Sequence, residues 1–248
     1  FISQLKHVYA YAQLRAERAL EISAHTELPL VFLTTGTYLN PERAQWTLEL
    51  LTAASRLAHH VSQRTKHALA CPRPSEISAR VQPIIPAPLQ GTLPSGHATE
   101  AFLIATVLCE LVGASQPKQM HPSWRMQFMR LASRIAVNRT IAGVNFPIDN
   151  VAGAVLGLTL GHYFIARSRE CPELTAWAFD GSEGIYPPDR ISISTGLHFT
   201  TWKRVIQRRP DNTLSKWVRR KSILLLFSNG FGKRRWLNGK RPIRSTDE

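Results

Sequence analysis

Leu93-Pro94-Ser95-Gly96-His97-Ala98-Thr99 is a turn that runs straight into an apolar, helix-like stretch, Ala101–Ala114. A glycine at such an entry lets backbone approach a ligand closely, and the first N–H groups of a helix have no partner within it. With the helix dipole they form an anion site, which Ser95 extends with its hydroxyl and His97 with its imidazole. Alone, these residues also fit an ordinary capped helix start. What flanks them decides between the two.

Upstream, Lys66-His67-Ala68-Leu69-Ala70-Cys71-Pro72-Arg73-Pro74 reads as Lys, six residues, then Arg-Pro. Downstream, Asn138-Arg139-Thr140-Ile141-Ala142-Gly143-Val144-Asn145-Phe146-Pro147-Ile148-Asp149 carries an arginine and, ten residues on, an aspartate. Each piece has a bland reading. Lys66 fits a solvated charge at a helix end, and Arg73-Pro74 an extended dipeptide. Asp149, two residues after Pro147, fits a helix-start carboxylate. In this order and spacing, however, they resemble the superfamily that joins type-2 phosphatidic-acid phosphatases, bacterial acid phosphatases and vanadium haloperoxidases. Its signatures are K-x6-RP, PSGH and R-x5-H-x3-D. The first two match completely. In the third, Arg139 and Asp149 match, and Asn145 stands where the family has histidine.

The resemblance spans roughly residues 60–165 and implies a fold, a site and a chemistry. The fold implied is all-α, a helical bundle. Phosphate and vanadate carry charge on several oxygens; arginine meets these with planar, often bidentate donation and lysine with a point charge. The resemblance therefore assigns Lys66, Arg73 and Arg139 to clamp the anion, Ser95 and Gly96 to complete the cradle, and His97 to general acid–base work. An imidazole with its ordinary pKa near 6.5 suits that task. The family's other histidine attacks phosphorus or ligates vanadium, and Asp149 would hold its far N–H. Asn145 offers no comparable nitrogen, because its amide lone pair is delocalised into the carbonyl. Loss of a nucleophile costs orders of magnitude in rate while charge stabilisation survives. Oxyanion binding is thus expected, with compromised turnover. A phosphatase would need no cofactor and would take a small phosphate ester; a haloperoxidase would hold vanadate and use halide and peroxide. Gln82-Pro83-Ile84-Ile85-Pro86, leading into Gly91-Thr92-Leu93-Pro94, looks more like the soluble haloperoxidase-like bacterial branch than the integral lipid phosphatases.

The chain has 248 residues, 44% of them hydrophobic, enough for one main domain with a sizeable core. Three parts are expected: a helical domain over 1–170, a Gly/Ser/Pro-rich linker over 171–201, and a tail over 202–248. The formal charge of +14 belongs mostly to that tail, which has 14 Lys/Arg against 3 Asp/Glu. Its basic clusters, interleaved with Trp202, Trp217, Phe227, Phe231 and Trp236, offer contact with an anionic membrane surface or nucleic acid; a solvated appendage is the simpler reading. A non-catalytic oxyanion-binding or interaction protein using this tail is the alternative to an enzyme.

Helical periodicity predicts helices over 1–23 (with Leu5, Val8, Tyr9, Tyr11, Ala12, Leu14 and Leu20 recurring at roughly helical spacing), from Asn40-Pro41-Glu42 to about Ala68, and over Ala101–Ala114, Ser123–Ala142 and Phe146–Arg167. Residues 71–94 are expected to be a Pro-rich connection carrying Arg73 to the anion. The 17 uncharged residues between Asp149 and Arg167 make a marginal membrane span and a better buried bundle helix, so no polytopic span is expected. Phe1 rather than Met opens the chain, as in a fragment or processed form, and no secretory signal follows. Cys71, Cys109 and Cys171 have no metal-site spacing, and neither they nor the composition choose between bacterial cytoplasm and periplasm.

Overall fold

In the computed structural model the described residues are 1–26, 30–34, 37, 39–40, 42–115 and 123–169. The expected linker, the basic tail and Cys171 lie outside them. Among the described residues the architecture is all helical, in the order α1 (Leu5–Ala12), α2 (Arg15–Ala24), α3 (Leu30–Thr34), α4 (Gln45–Leu69), α5 (Pro74–Ile77), α6 (Gly96–Ser115), α7 (Ser123–Ile141) and α8 (Pro147–Ser168). This is the expected helical bundle.

Helix α6 is apolar on every side, and such a helix belongs in the middle of a core. Ala98 to Cys109 are buried without a break, and α4, α7 and α8 surround it. Helix α8 approaches α6 along a stripe of small residues. A Cβ added at Gly153 would lie 2.5 Å from the Ser95 carbonyl oxygen, and one at Gly161 2.7 Å from Thr106 Cβ. Only a missing side chain permits that approach, and it locks the turn before α6 to the first turns of α8. Among the described residues, α6 and α8 are both long and apolar enough to cross a membrane, with 67% and 61% of their most apolar windows buried in the bundle.

The N-terminal segment is two helices rather than one. The chain breaks at Gln13–Leu14, so that Arg15 donates to the carbonyls of Ile141 (2.9 Å) and Gln82 (2.7 Å). Val8 and Tyr11 are buried, whereas Leu20, of the same periodic set, is 89% exposed on α2. The opening at Asn40 is a separate turn: the Asn40 side chain accepts from Glu42 N (2.8 Å), and α4 proper starts at Gln45. The Pro-rich connection is not structureless. Pro74 sits at the first position of the short α5, and Glu76 accepts from Arg73 N at 2.6 Å.

Candidate functional site

The site is assembled from two helix ends and three helix starts. Helix α4 stops at Ala70, which takes a left-handed conformation (φ 45°) and leaves Lys66 in the last turn. Arg73 opens α5, and Ser95 precedes α6. Arg139 lies in the last turn of α7. Gly143, at φ +84°, reverses the chain after α7, a backbone state that favours glycine. The reversal delivers Asn145 and then α8, whose entry is capped by Asp149: its Oδ2 accepts from Phe146 N at 2.7 Å. The helix-start reading of Asp149 is therefore right whatever else it does. Ser95 N donates to the Asp149 carbonyl (2.9 Å), tying the two signatures together through backbone.

Lys66, Arg73, Ser95, Arg139, Asn145 and Asp149 are each at most 5% exposed, although all six are polar or charged. Burial depresses the Lys66 pKa to about 8, with Arg73 adding to the effect, and that of Arg139 to about 10. The cations differ in what they hold. Lys66 Nζ donates to the carbonyls of Gly91 (2.7 Å) and Thr92 (3.0 Å). Arg73 reaches four carbonyls, those of Pro88, Gln90, Gly91 and Val144, and so fastens the 88–92 loop to the segment after α7. Arg139 does neither. Its Nε and Nη2 are buried with no hydrogen-bond partner among the described residues, and Ser95 Oγ is likewise unpaired. Gly96 leaves room beside these groups, since a Cβ there would meet only Ser62 Oγ at 3.7 Å and Lys66 Cε at 3.9 Å.

His97 is less free than its position in the sequence suggests. Its Nε2 lies 2.9 Å from the His25 carbonyl, so that nitrogen must carry the proton. Burial, with Arg139 next in weight, lowers its pKa to about 3 rather than leaving it near 6.5. As placed, His97 is neutral and its Nε2–H is engaged; acid–base work at that nitrogen requires the ring to leave the carbonyl.

Asn145 is held by Thr92 and Asp149. Its Nδ2 donates to the Thr92 carbonyl and to Thr92 Oγ1, both at 3.0 Å, and lies 3.4 Å from Asp149 Oδ2. Thr92 Oγ1 donates in turn to the same Oδ2 at 2.5 Å. Burial raises the Asp149 pKa to about 6 against these hydrogen bonds, and its Oδ1 has no partner among the described residues. Thr92 is a site residue the sequence reading passed over; its place directly before Leu93-Pro94-Ser95 was the available signal. His25, on the segment after α2, was also missed, and nothing local in the sequence marks it. Among the described residues no three His, Cys, Asp or Glu side chains converge to hold a metal ion.

The described residues thus form a helical bundle with a buried, cation-rich cradle at the PSGH turn. The sequence model of the PAP2 superfamily matches residues 44–171, and the chain belongs to that superfamily. Among solved structures it is similar to Aquifex aeolicus LpxE, at 22% identity and a TM-score of 0.50, over 66% of this chain and 96% of that one. This likeness is one of fold. It is also similar, at 20% identity and a TM-score of 0.46, to a transmembrane PAP2-type phosphatidylglycerolphosphate phosphatase from Bacillus subtilis, over 67% of this chain and 77% of that one. No curated protein matches the chain.

Proposed function

We propose that this chain binds a phosphate-type oxyanion and acts, if slowly, on a phosphate ester. The single observation that carries the reading is Arg139: a buried guanidinium whose Nε and Nη2 find no acceptor among the described residues. Leaving such donors unmet costs about 1–3 kcal/mol each, more for a charged group, and an oxyanion removes that cost. Arg139 and Ser95 would hold the anion's oxygens directly, with Gly96 clearing the space. Lys66 and Arg73 would act mainly through their charge, since their donors already brace the 88–92 loop. His97 would serve the leaving oxygen after letting go of the His25 carbonyl.

Asn145 supports the weak-turnover part of the proposal. It brings no nucleophilic nitrogen, and its amide hydrogen atoms are engaged by Thr92. Vanadate would suit the cradle through its oxygens as phosphate does, but Asn145 supplies no nitrogen for a bond to vanadium. The residues present do not fit that ligation, which makes halide oxidation the weaker reading. A purely oxyanion-binding role is the natural second reading, favoured by the same hydrogen bonds from Asn145. Calorimetric titration of the full chain with inorganic phosphate tests the core of the proposal. Saturable binding that is lost in Arg139→Met is expected; no binding, or equal binding in both proteins, overturns it.

A further inference from the structure

We propose that His25 is a further donor of the oxyanion site, presenting a neutral Nε2–H to the bound anion. His25 lies upstream of the residues the superfamily model matches, so no signature assigns it. The proposal rests on the oxyanion reading above.

His25 caps the C-terminus of α2 and is completely buried, with its ring packed edge-on against Phe32 at 4.0 Å between centroids. Its backbone carbonyl receives His97 Nε2, which sets it beside the PSGH turn. On its other side is Asn138, the residue preceding Arg139, with Nδ2 at 3.2 Å from His25 Nδ1. The same Nδ2 donates to Glu21 Oε1 at 2.9 Å. A carboxylate accepts only, so Glu21 fixes the amide with its NH2 toward both neighbours. Glu21 is in turn held by Arg134, whose Nε and Nη2 donate to its two oxygens at 2.6 Å each. The Asn138 amide therefore donates to His25 Nδ1, and a protonated Nδ1 would set two donors face to face. The single proton of the neutral ring must sit on Nε2.

That Nε2 is buried and has no partner among the described residues. Arg139 acts on the His25 ring electrostatically, and burial together with Arg139 and Arg134 lowers its pKa despite Glu21. The chain thus holds buried donors without acceptors at His25 Nε2, Ser95 Oγ and Arg139 Nε and Nη2, and His25 touches His97, two residues after Ser95, and Asn138, next to Arg139. One oxyanion supplies the missing acceptors. The Arg134–Glu21–Asn138 chain sets the tautomer, which makes His25 a donor and excludes Nε2 as a nucleophile standing in for the absent histidine at 145.

Two measurements on the full chain test this. The first is calorimetric titration with inorganic phosphate of the unaltered protein, His25→Phe, His25→Gln and Arg139→Met. Losing one hydrogen bond to a charged group predicts about tenfold to hundredfold weaker binding in His25→Phe. His25→Gln, whose amide nitrogen falls near the place of Nε2, should recover part of it. If the unaltered protein binds and Arg139→Met does not, while His25→Phe binds normally, the proposal fails and the site stands. If the unaltered protein does not bind phosphate, the site itself fails, and this inference with it. The second measurement is long-range proton–nitrogen NMR of histidine-labelled protein, assigned with His25→Gln, and it decides the matter even if His25→Phe does not fold. A neutral ring protonated at Nε2 that shifts on adding phosphate supports the proposal. Protonation at Nδ1, a charged ring, or indifference to phosphate overturns it.

Discussion

Replacing Asn145 with histidine tests whether the nitrogen absent at position 145 limits turnover. In the present chain Asn145 Nδ2 makes two hydrogen bonds to Thr92 at 3.0 Å, each worth about 1 kcal/mol net. The variant loses both. It regains part if the imidazole N–H pairs with Asp149, whose Oδ1 has no partner among the described residues. A net loss of about 1 kcal/mol is expected, lowering the melting temperature by about 2–4 °C for a chain of this size. The kinetic effect is far larger. Deleting the nucleophile of a catalytic unit costs about 10⁶ in rate, while the charge stabilisation that survives is still worth about 10³ or more over water. Restoring it should raise hydrolysis of an activated aryl phosphate by at least about 10³-fold. Both proteins are assayed for that hydrolysis, for acid-quenched phosphohistidine, and for halide oxidation with vanadate and peroxide. Equal hydrolysis by the two proteins refutes the role given to position 145. A variant that binds phosphate tightly yet neither forms phosphohistidine nor turns over refutes the catalytic reading of the whole site.

Two further outcomes follow from the same geometry. In Gly153→Ala the added Cβ meets the Ser95 carbonyl at 2.5 Å, which is backbone and cannot swing aside. A loss of about 1–3 kcal/mol is expected, seen as a lower melting temperature, with weaker phosphate binding as the Ser95 turn is displaced; an unchanged protein refutes the close-packed account of α6 and α8. Lys66, depressed to about 8, loses its charge as pH rises through that value. Affinity for sulfate, whose charge is constant there, should fall between pH 7 and 9, and that fall should be absent in Lys66→Met. Stability moves the other way. The unfolded lysine holds its proton up to its ordinary pKa near 10.5, so this group's contribution to stability rises with pH from about 8 to 10.5.

Local sequence determined a good deal. The apolar run Ala101–Ala114 read as a helix, and Pro147 with Asp149 marked the start of another, because capping chemistry acts over three or four residues. The three signatures, with Asn145 in place of histidine, were readable for the same reason: their order and spacing are properties of the chain. The placing of α5 and the break at Gln13–Leu14 were not readable, since each is set by a partner far along the chain, as when Arg15 reaches Ile141 and Gln82. Tertiary structure alone decided how the cations divide their work. Lys66, Arg73 and Arg139 look equivalent in sequence, yet carbonyls of the 88–92 loop engage the first two, and Arg139 Nε and Nη2 have no partner among the described residues. It also set His25 against Asn138, whose amide Glu21 orients. Hydrogen-bond direction passes through space from one donor to the next acceptor, and a linear pattern of residue types does not record it.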